Sequence, residues 1–125
     1  MSKLFILLAM IFCHIIDDYV LQAVSPLSKM KQRRWWRKNY PQKLYRYDYL
    51  LALLMHSLSW SFMIMLPIAL SQFFEVGVKF LILFIANTVF HGFVDNAKAN
   101  WRIINLIADQ IFHMVQIAVT FCILL

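Results

Sequence analysis

Four apolar stretches, each close to the length of a membrane-crossing helix, dominate the chain: residues 3–24, 49–71, 74–97 and 101–125. A helix rises about 1.5 Å per residue, so about 20 residues cover the hydrocarbon core of a bilayer. Lipid offers no partner to backbone N–H and C=O groups, which leaves helices and closed β-barrels as the only spanning structures. With two glycines and three prolines in 125 residues, the sequence lacks the frequent turns and alternating pattern of a barrel. Hydrophobic residues make up 62% of the chain and charged residues 14%, too apolar a balance to cover a soluble domain of this size. The expected class is therefore all-α: an integral membrane bundle of about four transmembrane helices forming a single membrane domain over residues 1–125. Pro26 closes the first stretch, and Pro67 is expected to kink the second near its far end.

The first stretch opens like a signal peptide but contains His14, Asp17 and Asp18 and lacks a small-residue cleavage site, so it reads as an uncleaved span. Cys13 and Cys122 each lie in an apolar run with no paired spacing, which suits buried thiols better than a disulfide or a zinc ribbon. Between the first two stretches, over residues 25–48, lie Lys29, Lys31, Arg33, Arg34, Arg37, Lys38, Lys43 and Arg46, interleaved with Trp35, Trp36, Tyr40, Tyr45 and Tyr47. Lysine and arginine concentrate in cytoplasmic loops, and Lys98 with Arg102 follows the third stretch on the same side. This predicts a multi-pass membrane protein with both termini on the outer side, away from the cytoplasm. Lys29, Lys31, Arg33, Arg34, Arg37 and Lys38 are candidate contacts for anionic lipid or phosphate, beside their simpler role in setting topology. Nucleic acid is a disfavoured partner, because no recognition module accompanies the basic patch.

Ionisable groups are costly inside a bilayer and usually mark a site there. His14, Asp18 and Gln22 are spaced four apart on the first helix, as are His91 and Asp95 on the third and Asp109 and His113 on the fourth, which aligns each set on one face. The second helix supplies His56, with Asp48 two turns earlier; Asn87, Lys98, Asn105, Gln110 and Gln116 flank the pairs. All four histidines, one per helix, belong to this set, and of the six acidic residues only Glu75 stands apart. Measured along the helices from the basic end, the set falls within about 18 Å of that end, in one half of the bilayer.

Mixed imidazole and carboxylate groups suit Zn, Mn, Fe or Co, and the candidate ligands His14, Asp18, His56, His91, Asp95, Asp109 and His113 are numerous enough for one or two ions. Gln22, Asp48, Asn87, Asn105 and Gln110 are candidate supporting residues. A metal-free polar network that specifies helix packing is the plainer alternative.

The runs His14–Gln22 (H-x-x-x-D-x-x-x-Q), His91–Lys98 (H-x-x-x-D-x-x-K) and Asp109–His113 (D-Q-x-x-H) resemble the bacterial and phage membrane family called domain of unknown function 3307, over nearly the whole chain. That resemblance implies a multi-helix inner-membrane protein and supplies no activity. A more distant similarity, to small membrane proteins labelled metal-dependent hydrolases, rests on the same kinds of residue and is an analogy. Three functions stay open at this point. One is a metal-dependent hydrolase of a lipid-linked or phosphorylated substrate, with Asp17 or Asp109 moving a proton and Lys98 holding negative charge. Another is a non-enzymatic, phage-encoded membrane factor that binds a host membrane partner around a structural polar core. The third is a metal-ion or proton carrier, which the apolar outer halves, such as Leu4–Ile11, disfavour for a monomer. Homo-oligomerisation is compatible with each. Ser57, Ser59 and Ser61 form no nucleophile elbow, so serine chemistry is not expected.

Overall fold

The computed structural model describes residues 2–21 and 26–125, and within them the fold is entirely helical. Four helical stretches are long and apolar enough to cross a membrane: Lys3–Leu21, Lys43–Ser71, Val78–Trp101 and Leu106–Leu124. The four helices at their centres are α1 (Lys3–Ile15), α4 (Asp48–Ser71), α5 (Val78–Asn96) and α6 (Leu106–Leu124). The connecting basic segment is not a bare loop. It carries two short helices, α2 (Leu27–Met30) and α3 (Arg33–Asn39), and a 3₁₀ turn at Lys43–Tyr45. Helix α4 runs on through Pro67 to Ser71, with Pro67 itself buried.

The outward faces are those of a protein in lipid. Phe12, Leu51, Ile82, Ile85, Phe93 and Ile107 are each more than half exposed, an apolar surface that would drive aggregation in water and costs nothing in hydrocarbon. Lys3 Nζ donates to the carbonyl of Leu125 at 3.0 Å, so the ends of α1 and α6 meet at one end of the bundle. That end has an apolar interior, where Ile6, Met10, Ile64, Met65, Ile68 and Ile117 pack with Trp60. Toward the basic end, the interior turns polar.

Two local features make that change possible. At Gly92 a Cβ would stand 3.2 Å from Ser57 Oγ, so α4 and α5 approach closely there, as small residues allow in membrane bundles, and His56 and His91 lie one residue away. The other feature is a switch to π-helix at the basic ends of two spans, over Ile16–Leu21 after α1 and Ala97–Trp101 after α5. Such wider turns are rare and concentrate at functional sites. The first contains both Asp17 and Asp18, and it turns these sequence neighbours inward together: Asp17 is buried and the Asp18 side chain is only 8% exposed.

Candidate functional site

The polar layer gathers all four histidines and four carboxylates. Asp18 is central. Its oxygens lie 3.5 Å from His56 Nε2, 3.7 Å from His14 Nδ1 and 3.9 Å from His113 Nε2. Two sets of three residues each present ligand atoms within 4.8 Å of one another: Asp18, His56 and His91, and Asp18, Asp109 and His113. Bonds of about 2.0–2.2 Å to a common ion place two ligand atoms at most about 4.4 Å apart, so small side-chain adjustments close either set around an ion. Asp18 belongs to both.

His91 is fully buried, and neither of its ring nitrogens has a hydrogen-bond partner among the described residues. Its ring packs against both Trp60 and His113, with centroids 4.3 Å from each and interplanar angles of 18° and 26°, and those two rings also meet each other at 5.1 Å. His56 lies beyond, 5.0 Å away. Buried polar groups are almost always satisfied, and an orphan costs about 1–3 kcal/mol. A buried imidazole with both nitrogens unused is therefore matched to a partner other than protein.

Hydrogen bonds set the tautomer of one other ring. The Trp60 indole is a donor only, and Nε1 donates to His14 Nδ1 at 2.8 Å. The His14 proton is consequently on Nε2, which donates to Gln110 Oε1 at 2.8 Å. Gln110 Nε2 passes the chain on to Asp109 Oδ2 at 3.0 Å and Asp18 Oδ2 at 3.4 Å. Both nitrogens of His14 are thus engaged within the protein, and its geometry is that of a residue that orients the acids through Gln110. On the other side, Asn87 donates to Thr120 Oγ1 at 2.8 Å and accepts from Gln116 Nε2 at 3.1 Å. Gln116 then turns Oε1 toward His113 Nδ1 at 3.3 Å. His113 Nε2 lies 3.2 Å from Asp109 Oδ1, an oxygen that has no hydrogen-bond partner among the described residues.

Charge points the same way. Lys31 Nζ contacts Asp95 at 2.8 Å and Lys98 Nζ contacts Asp109 at 3.2 Å, so two ammonium groups face the four carboxylates of Asp17, Asp18, Asp95 and Asp109. Uncompensated charge is costly in a low-dielectric interior. Asp17 sits at the edge: Ser59 Oγ donates to its Oδ1 at 2.6 Å, while Oδ2 stands 3.9 Å from His56 Nδ1 without a hydrogen bond.

A cleft of about 450 Å³ reaches this layer from the basic end, lined by Asp18, Tyr19, Lys31, Arg34 and Lys98 among others. Its walls bring three cations to the mouth of the acid and imidazole cluster.

The structure redistributes several of the expected roles. Lys31 is only 4% exposed and paired with Asp95 in the interior, so it is no headgroup contact on an open surface. Asn105 caps α6, accepting from Ala108 N at 2.9 Å, and serves the helix rather than the site. No hydrogen bond or ion pair joins Asp48 to the cluster among the described residues. Asn87 supports His113 only at second hand, through Gln116. Gln22 lies outside the described residues. Trp60, Ser59 and Thr120 are additions that residue spacing did not reveal. Trp60 and Ser59 carry a legible signal, since each lies within one turn of His56 on α4.

Compared with protein-family models, with curated proteins and with solved structures, the chain finds no match.

Proposed function

We propose that this chain is a membrane-embedded, metal-dependent hydrolase that cleaves a phosphate ester on a lipid-linked or phosphorylated substrate entering from the basic end. The observation that carries the reading is His91: a fully buried imidazole with both nitrogens unpartnered, inside one of two ligand sets that share Asp18. A metal-free network would leave that group unsatisfied at a standing cost.

The ligands in this reading are Asp18, His56 and His91 for one ion and Asp18, Asp109 and His113 for the other, with Asp95 beside the first. When bound, Zn, Mn, Fe or Co ions supply a water acidic enough to lose a proton near neutral pH and positive charge against the phosphate. The chain does the rest. Lys31, Arg34 and Lys98 receive the phosphate oxygens in the cleft. Asp17, held on one oxygen by Ser59, accepts the proton that leaves the attacking water on the other. The new P–O bond forms to water, the ester P–O bond breaks, and the alcohol oxygen takes up a proton from water at the cleft mouth, to which Asp17 returns the one it accepted, so an alcohol and a phosphate leave. His14, fixed by Trp60, positions Asp18 and Asp109 through Gln110. Kinship with domain of unknown function 3307 and a place in the bacterial inner membrane belong to the same proposal.

Elemental analysis of protein purified in mild detergent tests it. Near-stoichiometric transition metal, up to two ions per chain, is expected, together with release of phosphate from a lipid phosphate that a chelator stops. A folded, monodisperse protein that neither contains nor takes up metal would overturn it.

The orientation has its own test. A reporter fused after Leu125 is expected to be active only outside the cytoplasm, and one inserted near Arg37 only inside. The opposite pattern would place the cleft on the outer leaflet.

A further inference from the structure

Beside the cleft that leads to the His/Asp layer lies a second concavity of about 330 Å³, lined by Arg33, Arg34, Arg37, Arg102, Tyr49 and Trp101 with Asn96 and Asn100. Its size falls at the lower end of the range of about 300–1,000 Å³ for small-ligand pockets. Four arginines line it, and no carboxylate does. Among the described residues, none of the four arginines forms an ion pair. The protein's carboxylates lie elsewhere: four in the polar layer, Asp48 in the first turn of α4, and Glu75 at the far end of the bundle.

The arginines come from two separate segments that are fastened together. Asn100 Oδ1 accepts from the backbone N–H of Arg33 at 2.6 Å, and Asn100 Nδ2 donates to Lys31 O at 2.9 Å and Asn96 Oδ1 at 2.6 Å. Arg34 Nη1 donates to Ala99 O at 2.7 Å. The chain then turns sharply at Arg102, a non-glycine residue in the left-handed region with φ of 56°. Few residues tolerate that backbone, and surrounding structure has to hold it. A basic loop that only set topology needs none of this, because charge count suffices for that purpose.

We infer that this four-arginine pocket, with Tyr49 and Trp101 in its lining, is a second anion site that binds the phosphate group of a lipid headgroup or of free phosphate. The forked guanidinium matches phosphate geometry bidentately, which an ammonium does not. Tyrosine and tryptophan favour the depth at which headgroups lie. Arg34 forms part of the wall of both concavities. The inference does not depend on the hydrolase reading, since it requires no metal and no turnover.

The test is calorimetric titration of the full-length chain in uncharged detergent, with a chelator present, using short-chain phosphatidic acid in one arm and inorganic phosphate in the other. Saturable binding of phosphatidic acid is expected. Competition by inorganic phosphate would show that the phosphate group alone suffices, and its absence that the lipid is required; both support the site. Combined Arg33→Gln, Arg37→Gln and Arg102→Gln substitution is expected to weaken binding about fivefold for each arginine, on the order of a hundredfold in total. Should that variant fail to insert correctly, the triple Arg→Lys version retains every charge. It is still expected to lose at least tenfold, because the forks are gone. Lys29 and Lys38 line neither concavity, and the Lys29→Gln/Lys38→Gln double variant is expected to bind within about twofold of the parent, as distant surface charges are screened. Equal losses in the arginine and lysine variants, unchanged binding in the Arg→Lys protein, or no saturable binding of either probe would overturn the site.

Discussion

Asp18→Asn is expected to strip the protein of nearly all bound metal and to reduce phosphate release to background. The reason is geometric. Asp18 is the residue common to both ligand sets, so losing its charge weakens two ion sites at once, whereas Asp95 belongs to neither set and its replacement by Asn touches the Lys31 pair and the neighbourhood of His56. Asparagine keeps the size and one carbonyl oxygen but contributes no negative charge. Removing a ligand should cost more than the roughly 10- to 100-fold that loss of an outer supporting residue costs in metal affinity or activity. Trp60→Phe, which takes away the indole donor to His14, is the matching outer variant and should fall within that lower range. In a purely structural network the order reverses. A neutral amide is cheaper to bury than a carboxylate, so Asp18→Asn would be mild and would leave thermal stability equal or higher. Metal content, phosphate release and thermal midpoint measured on the same preparations separate the cases, and near-normal metal content in Asp18→Asn would sink the shared-ligand geometry.

The spans were legible because lipid imposes a length and a hydropathy on any crossing helix, and the histidines because each stands out in an apolar run. Spacing of four placed His14 beside Asp18 and Asp109 beside His113, since helical periodicity alone puts such pairs on one face, while Asp95, spaced the same way from His91, meets Lys31 and His56 instead. The same rule misled at Asn105. That residue lies one turn before Asp109 on the same face, but it stands at the start of the helix, where its side chain closes an open backbone N–H instead. Spacing also could not show that Asp17 turns inward along with Asp18. Adjacent residues diverge on a regular α-helix, and only the π-helical turn at Ile16–Leu21 brings both into the cluster. Lys31 was unreadable for a different reason. In sequence it is one of eight cations in a basic segment, and only the close packing of that segment against the end of α5 carries it onto Asp95, 64 residues away.

The network around His113 was the hardest part to foresee, and it bears on what the site is for. Gln116, Asn87 and Thr120 extend the polar interior further toward the terminal end than the acids and imidazoles do, yet each is consumed by its neighbours. Beyond them stand Ile6, Ile64 and Ile68. Hydrogen-bonded closure followed by an apolar plug suits a blind site open at one end, and it argues against a conduit through the bilayer.

His91 gives the sharpest remaining contrast, because metal and structural readings predict effects of different kind there. His91→Phe keeps a flat ring against Trp60 and His113 and removes both nitrogens. The substitution carries a packing cost, since phenylalanine is the larger ring, but that cost is the same with and without metal. The informative quantity is therefore the change in thermal stability on adding a chelator, compared between parent and variant. In the parent, a ligand that binds only the folded state stabilises it by RT ln(1 + [L]/Kd), about 4 kcal/mol when free metal stands a thousandfold above Kd. Chelation should remove most of that, and the cost of about 1–3 kcal/mol of leaving the imidazole buried without a partner is already contained in it. The variant has no such group to strand, and one of its two ion sites lacks a ligand, so its stability should respond to the chelator by less than half as much. An identical response to chelator in the two proteins would mean that His91 binds nothing, and its unpartnered nitrogens would then be a cost that the fold bears without return.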